Sequence, residues 1–257
     1  MSDNTGKFVW YEWMGANLEG AVEFYRAVVG WDIAATGMAG FDYRIASVKG
    51  YGVGGLFTIP PEAKAMGAPP CWTGYIWVEN VDAAVAKLKA AGGRAMREPM
   101  DIPNVGRFAI VVDNQGAAFA LFRDAGGNPP PAPSPGTPGL VGWRELHAGG
   151  DGAAAFAFYA GQFGWKEASQ FDMGPMGVYR LWDSGGQQGG MMSKTPQGPG
   201  PCWLYYFDVD AADAAAARVA KAGGKVVNGP HEVPGGQWAM QAVDREGAMF
   251  GLVAPKR

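Results

Sequence analysis

Apolar residues change from strand-like to helix-like spacing in a fixed order near the start of the chain. Residues 8–14 have the aromatic and β-branched content of a strand. Asn17 follows as a candidate N-cap, and apolar residues then recur at helical spacing as far as Gly30. Three short strands are predicted after this helix, near 31–36, 41–48 and 52–59.

The same order restarts near residue 72. A strand over 72–78 precedes a helix over 82–91, which Gly92 and Gly93 end. Three more strands are predicted near 94–101, 107–112 and 118–123. The unit is therefore strand–helix–strand–strand–strand, and the chain holds four such units. We predict an α+β fold with two cup-shaped mixed sheets that carry their helices on the outer face.

The second half of the chain repeats the first. Phe24-Tyr25 recurs as Phe158-Tyr159, and the segment 71–125 matches 202–256 without a gap. The six prolines within 128–138 favour an extended spacer between the repeats over a helix or a central strand. We predict a first domain at 1–127, a linker at 128–138 and a second domain at 139–257.

Four short motifs recur in both repeats at matching places. In the first repeat they are Phe24-Tyr25-x4-Gly30-Trp31, Val78-Glu79-Asn80-Val81-Asp82, Ala91-Gly92-Gly93 and Asp113-x2-Gly116-x2-Phe119-x-Leu121. This ordered set resembles the vicinal oxygen chelate superfamily, which includes glyoxalase I, extradiol dioxygenases and bleomycin-resistance proteins, and it covers nearly the whole chain. The pairs Trp10-x-Glu12 and Trp143-x-Glu145 resemble the two-module, antigen-type branch of that superfamily.

The resemblance also implies where metal ligands would lie. The matching positions are Trp10, Thr73 and Ala120 in the first repeat, and Trp143, Leu204 and Gly251 in the second. The remaining ligand belongs on the fourth strand, where 50–61 has no acid or histidine and 185–198 offers nothing better than two adjacent glutamines. Because Zn, Ni and Fe sites use imidazole, carboxylate or thiolate ligands, we expect no metal and no other cofactor.

Strand alternation predicts which side chains face each cup. The predicted ligand-binding residues are Trp10, Thr73, Tyr75 and Trp77 in the first repeat, and Trp143, His147, Tyr206 and Asp208 in the second. Glu12 and Glu145 are the candidate catalytic residues. A carboxylate inside an aromatic cup is suited to act as a general base or to bind a cation.

Each assignment has a structural alternative. Glu12 and Glu145 could instead accept hydrogen bonds that fix a loop, and their presence in both repeats favours that role. His147 shares a strand face with Glu145, so the two could form a proton shuttle or a partial metal site, or His147 could be an ordinary surface residue. The tryptophans could line a ligand site or simply plug the cups.

Composition narrows the classes of partner. The net charge is −3, Lys and Arg do not cluster, and no apolar run reaches the ~20 residues of a membrane span. The first residues lack the layout of a signal peptide, and two cysteines make no disulfide framework. We expect a cytoplasmic monomer or homodimer that binds a small molecule, and neither nucleic acid nor membrane.

Three functions remain open at this point. The first is metal-independent binding of a small planar or cationic organic molecule in the aromatic cups. The second is a glyoxalase-like lyase or isomerase that acts on a small carbonyl compound, with Glu12 or Glu145 as the base. The third is a structural or antigen-like role in which the cups are plugged. We favour the first, because the cups are aromatic and the expected metal-ligand positions hold no metal-binding side chains.

Overall fold

The computed structural model describes residues 4–38, 40–126, 132–196 and 198–257. The first module contains β1 (Phe8–Gly15), α1 (Leu18–Val28), β2 (Asp32–Ala35), β3 (Tyr43–Val48), β4 (Tyr51–Thr58), α2 (Pro61–Ala65), β5 (Cys71–Trp77), α3 (Val81–Ala90), β6 (Arg94–Ile102), β7 (Gly106–Val112) and β8 (Ala118–Asp124). The strands and the two long helices lie within a few residues of their predicted positions. The short helix α2 was not predicted. It begins at Pro61, where a proline is tolerated because the first residues of a helix have no hydrogen-bond partner within the helix for their backbone N–H.

The second module repeats this order, and its described residues contain no counterpart of α2. It contains β9 (Val141–His147), α4 (Gly152–Phe163), β10 (Lys166–Asp172), a 3₁₀ turn (Gly174–Met176), β11 (Val178–Ser184), β12 (Gln187–Met192), β13 (Cys202–Asp208), α5 (Ala212–Lys221), β14 (Lys225–Val233), β15 (Gln237–Val243) and β16 (Met249–Ala254). None of the helices in the described ranges is long and apolar enough to cross a bilayer.

Each module forms one mixed sheet of eight strands, as the α+β prediction requires. The strand order is β2-β3-β4-β1-β5-β8-β7-β6 in the first and β10-β11-β12-β9-β13-β16-β15-β14 in the second. Within the first sheet, β1 pairs with β4 and β5 pairs with β8 in parallel, while the outer strands pair as antiparallel hairpins. The α+β fold with tandem modules is confirmed.

Side-chain caps lie at the start of the two long helices of the first module. The Asn17 side chain accepts a hydrogen bond from the Gly20 amide, as the sequence predicted, and Asn80 caps α3 in the same way. The chain leaves α1 through Gly30 at φ +87°, a conformation that favours glycine. In the first module, short-range sequence features therefore determine where α1 and α3 begin and where α1 ends.

The described chain divides into two compact units that do not follow the repeat. Unit one comprises residues 1–9, 73–128 and 144–204, and unit two comprises residues 10–72, 129–143 and 205–257. Each unit thus holds part of both modules. The division at 1–127, 128–138 and 139–257 stays a prediction from the repeat, and residues 128–131 of the linker lie outside the described residues.

A buried aspartate organises the core of unit one. Asp113 Oδ1 accepts the backbone amides of Gln115 and Ala117 at 2.8 and 2.9 Å, and its Oδ2 accepts the Tyr159 hydroxyl at 3.0 Å. The Tyr159 hydroxyl in turn accepts the indole N–H of Trp203 at 2.9 Å. Because buried donors need acceptors, this one carboxylate holds a turn of the first module against α4 of the second.

Unit two contains the matching network with one more donor. Asp244 Oδ2 accepts the Trp13 indole at 2.7 Å and the Tyr25 hydroxyl at 3.1 Å, and Tyr25 accepts the Trp72 indole at 2.8 Å. Burial, and then the charge of Asp244, raise the pKa of Tyr25 well above its usual value, so the phenol stays a donor. The position of Trp13 is occupied in the second module by fully buried Leu146.

We predict that Asp244→Ala lowers the free energy of unfolding by about 3 kcal/mol and Asp113→Ala by about 2 kcal/mol, because each leaves buried donors without an acceptor. The larger loss at Asp244 reflects the additional Trp13 donor. Urea denaturation of the full chain measures both changes. Asp210→Ala, which removes a solvent-exposed ion pair, is the control and should shift stability by less than about 1 kcal/mol. Equal small losses in all three variants would contradict the role given to the buried carboxylates.

Candidate functional site

A carboxylate, a phenol and an indole form a chain on one face of unit two. Tyr43 donates its hydroxyl hydrogen to Glu12 Oε1 at 2.6 Å, and the Trp10 indole N–H donates to the Tyr43 oxygen at 2.9 Å. The strand register brings Glu12 beside Gly55 on β4, and Gly55 beside β3. We call this group the Glu12 face, comprising Trp10, Glu12, Tyr43 and Phe57.

Glycine makes room for the tyrosine of the Glu12 face. A Cβ on Gly55 would lie only 2.0 Å from the Tyr43 hydroxyl oxygen. Burial and the Glu12 carboxylate raise the pKa of Tyr43, so the phenol remains protonated and keeps donating. The glycine and the tyrosine thus hold the carboxylate in one place.

Aromatic rings extend the Glu12 face towards solvent. The Tyr43 ring stacks with Phe41 and with Phe57 at centroid distances of 6.0 Å, and Phe41 lies 5.5 Å from Phe57. Phe41 is 42% exposed. The face therefore presents aromatic surface beside a carboxylate rather than a closed core.

The second module repeats the construction within unit one. Tyr179 donates to Glu145 Oε2 at 2.7 Å, and a Cβ on Gly190 would lie 1.9 Å from the Tyr179 hydroxyl oxygen. Gly190 is paired with Glu145 in the strand register. Sequence analysis missed both tyrosines, although Tyr43 and Tyr179 occupy matching places in the repeat.

A histidine distinguishes the second carboxylate from the first. His147 Nε2 lies 2.9 Å from Glu145 Oε1, and each residue is 8% exposed. The two atoms are in contact, but the ring is not aligned for a regular hydrogen bond. Met14 is the matching residue of the first module. Met14 is paired with Phe57 in the first sheet, and His147 is paired with Met192 in the second. We call Glu145, His147, Tyr179 and Gly190 the Glu145 face.

The charge of Glu145 also affects the pKa of a cysteine thiol. Burial of Cys202, and then the negative charge of Glu145, raise the pKa of the thiol to about 11. The thiol is therefore protonated at neutral pH and is a poor nucleophile there.

The predicted residues of β5 lie in a more closed setting. Tyr75 is buried against Phe108 and Phe122, at centroid distances of 6.4 and 6.2 Å. The Trp77 indole donates to Asp124 at 2.5 Å, and the Arg123 guanidinium lies 4.5 Å from the centre of its ring. Thr73 is partly exposed on the same strand.

The remaining predicted residues lie on β13 and β9. In unit two, the Tyr206 ring lies over Gly251, and its hydroxyl accepts the Gln241 side-chain amide at 2.8 Å. Asp208 is buried, and a Cβ on Gly142 would lie 2.4 Å from its Oδ1. Trp143 is partly exposed on β9.

These contacts assign the predicted residues to separate groups. The structure joins Trp10 to the Glu12 face and His147 to the Glu145 face. Their roles in binding or catalysis stay predictions.

Comparison with known families decides the evolutionary relationship. The family model of the Glyoxalase/Bleomycin resistance protein/Dioxygenase superfamily matches residues 7–129 and 147–252. The chain belongs to this superfamily.

Two curated relatives span nearly the full length of this superfamily member. CFP32 of Mycobacterium tuberculosis, named as a glyoxylase, is 33% identical over 254 residues, which cover 96% of this chain and 94% of CFP32. The anthracycline biosynthesis protein DnrV of Streptomyces peucetius is 31% identical over 266 residues, with coverage of 96% and 93%. The similarity therefore extends along nearly the whole of each chain.

A solved structure shows the same fold. The Mn(II)-bound glyoxalase from Novosphingobium aromaticivorans superimposes with a TM-score of 0.65 at 16% identity, covering 98% of this chain and 82% of that chain. The identity is too low to carry function, so this likeness supports the fold alone.

The residues of this chain do not fit the metal site that the superfamily implies. Trp10, Thr73 and Trp143 stand at expected ligand positions, and Ala120 and Gly251 are paired with tyrosines in the sheets. None is an imidazole, carboxylate or thiolate. Over the described ranges, no three His, Cys, Asp or Glu side chains come together as a metal-binding group. We derive no chemical step through a metal, and metal independence stays a prediction.

We predict that the reactivity of Cys202 reports the charge of Glu145. In a Cys71→Ser background, the rate of iodoacetamide alkylation should still be rising at about pH 10, because the thiol pKa is raised to about 11. Glu145→Gln should shift that pH profile to lower pH, since it removes the neighbouring negative charge while the burial remains. Glu12→Gln is the matched control and should leave the profile unchanged. An unshifted profile in Glu145→Gln would contradict an effect of the Glu145 charge on the thiol.

Proposed function

We propose that this protein binds a small organic molecule, planar or cationic, on the aromatic cup faces of its sheets without using a metal. The observation that carries the proposal is the Glu12 face, where a fixed carboxylate lies beside partly exposed aromatic rings. Aromatic faces attract planar rings and cations, and the carboxylate adds charge complementarity for a cation.

The nearly parallel orientation of the aromatic rings favours a planar ligand over a compact one. Phe41, Tyr43 and Phe57 form a continuous aromatic surface with two nearly parallel ring pairs, at interplanar angles of 25° and 24°. Such a surface offers a stacking partner at the same place where Glu12 offers a negative charge. A ligand with a flat aromatic body and a positive group would use both.

The name of one relative is compatible with this ligand class. DnrV is named for anthracycline biosynthesis, and anthracyclines are planar polycyclic compounds. From this name we propose only that the ligand of this protein is also flat and aromatic. Its monomeric or homodimeric state and a cytoplasmic location stay predictions from the sequence.

The test of binding uses two flat probes of opposite charge. We predict that proflavine, a planar cation, binds with saturable quenching of tryptophan fluorescence, and that anthraquinone-2-sulfonate, a planar anion, binds more weakly. Glu12→Gln should weaken proflavine binding about tenfold, which corresponds to about 1.4 kcal/mol. Isothermal titration calorimetry gives the stoichiometry.

Control measurements distinguish binding at the Glu12 face from nonspecific attraction of a cation to the protein surface. Glu62→Gln removes an exposed carboxylate of α2 in the same unit and should leave proflavine affinity unchanged. Elemental analysis of protein purified without chelator should find no stoichiometric transition metal. Absence of saturable binding by both probes, or equal losses in the two glutamine variants, would reject the proposed site.

A second function is favoured by one observation, the contact between Glu145 and His147 at 2.9 Å. A carboxylate and an imidazole in contact can move a proton beside a carbonyl group. The second proposal is therefore a glyoxalase-like lyase or isomerase that acts on a small carbonyl compound, with Glu145 rather than Glu12 as the stronger candidate of the two carboxylates.

An assay with a small model carbonyl compound tests the second function. The protein should accelerate exchange of the α-hydrogens of hydroxyacetone with D₂O, as followed by loss of the proton NMR signal. Glu145→Gln should lower the exchange rate, while Glu12→Gln should not. Exchange at the buffer rate in the presence of wild-type protein would reject proton transfer as its function.

A further inference from the structure

The Glu145 face contains three polar groups in a row rather than an isolated carboxylate. Tyr179 holds Glu145 Oε2 at 2.7 Å, and His147 contacts Glu145 Oε1 at 2.9 Å. Both carboxylate oxygens are thus engaged by protein groups. Glu145 is therefore placed to orient and charge-balance a neighbour, and a substrate proton would have to displace one of these contacts to reach it.

We infer that His147 is the proton-transferring residue of this face and that Glu145, fixed by Tyr179 over Gly190, is its positioning carboxylate. This inference rests on the second proposed function and changes the identity of its base. The ring is not aligned for a regular hydrogen bond, but a lone pair on Nε2 would still lie 2.9 Å from a carboxylate oxygen, and the two would repel each other. In the neutral imidazole the hydrogen is therefore placed on Nε2. The lone pair that can accept a proton is then on Nδ1.

The proton balance of the step is simple. The C–H bond next to the substrate carbonyl breaks, its electron pair enters the enolate, and the proton moves to Nδ1 of His147. The imidazolium that forms is stabilised by the adjacent Glu145 carboxylate. The same proton, or one exchanged with solvent, then returns to carbon, and no oxidant or further reactant is needed.

The first module lacks this relay although it keeps the carboxylate. Glu12, Tyr43 and Gly55 match Glu145, Tyr179 and Gly190, but Met14 replaces the histidine. A thioether accepts no proton at ordinary pH. Proton transfer is therefore confined to the second module, and the Glu12 face is left with binding alone.

The groups that face the relay are few among the described contacts. Glu145 is on the same strand as His147, Tyr179 is on β11, the thiol of Cys202 is on β13, and β12 contributes apolar Met192 beside His147. Of these groups, the Glu145 carboxyl is the one whose distance to the imidazole is fixed, at 2.9 Å from Nε2. It therefore determines which ring nitrogen holds the hydrogen.

The tautomer can be measured directly because the chain has two histidines. In the ¹⁵N-labelled protein at about pH 8, the long-range ¹H–¹⁵N spectrum should show His147 as the Nε2–H tautomer. His231→Gln assigns the signals, and exposed His231, which contacts Asn228, is the internal reference. In Glu145→Gln the preference should weaken, because the amide can accept or donate. An Nδ1–H tautomer in the wild type would overturn the inference.

The exchange assay completes the test. His147→Gln should slow hydroxyacetone exchange by about 100-fold, the contribution of a typical general base. Glu145→Gln should reduce the rate less and shift its pH profile. Wild-type exchange that is unaffected by His147→Gln overturns this inference alone, leaving Glu145 as the base. Exchange at the buffer rate in the wild type rejects the second function itself, and the inference with it.

Discussion

The two buried aspartates connect more of the structure than any other polar groups described. Asp113 and Asp244 each fix a backbone turn through two amides and bind the hydroxyl of a tyrosine that belongs to the other module. A carboxylate buried this deeply is costly unless its oxygens are satisfied, so the surrounding donors must all be in place together. Each compact unit therefore depends on side chains from both halves of the sequence.

The same kind of constraint operates on the opposite sheet faces, where glycine takes part. Gly55 and Gly190 allow a tyrosine hydroxyl to approach the backbone within a distance that any Cβ would block. The tyrosine then reaches across the strand of the glycine and donates to the carboxylate on the strand beyond it. Fixed glutamates can thus have a structural role and a ligand role at once, and the two interpretations of Glu12 and Glu145 need not exclude each other.

Sequence reasoning succeeded where information is local or duplicated. The cap at Asn17 and the glycine at position 30 follow from neighbours along the chain. It did not find Tyr43 or Tyr179, because their importance arises from strand register and from the space above a glycine. Nor could it show that the compact units combine parts of both repeats, since that depends on packing between distant segments.

Duplication explains how one scaffold can hold two different faces. The aspartate network and the glycine–tyrosine–glutamate arrangement are retained in both modules, so they constrain both copies alike. The position two residues after each glutamate is not part of either network, and it holds methionine in one copy and histidine in the other. A substitution there changes the chemistry of the face while the carboxylate stays fixed. Divergence in function would therefore be expected at this position before any change in fold.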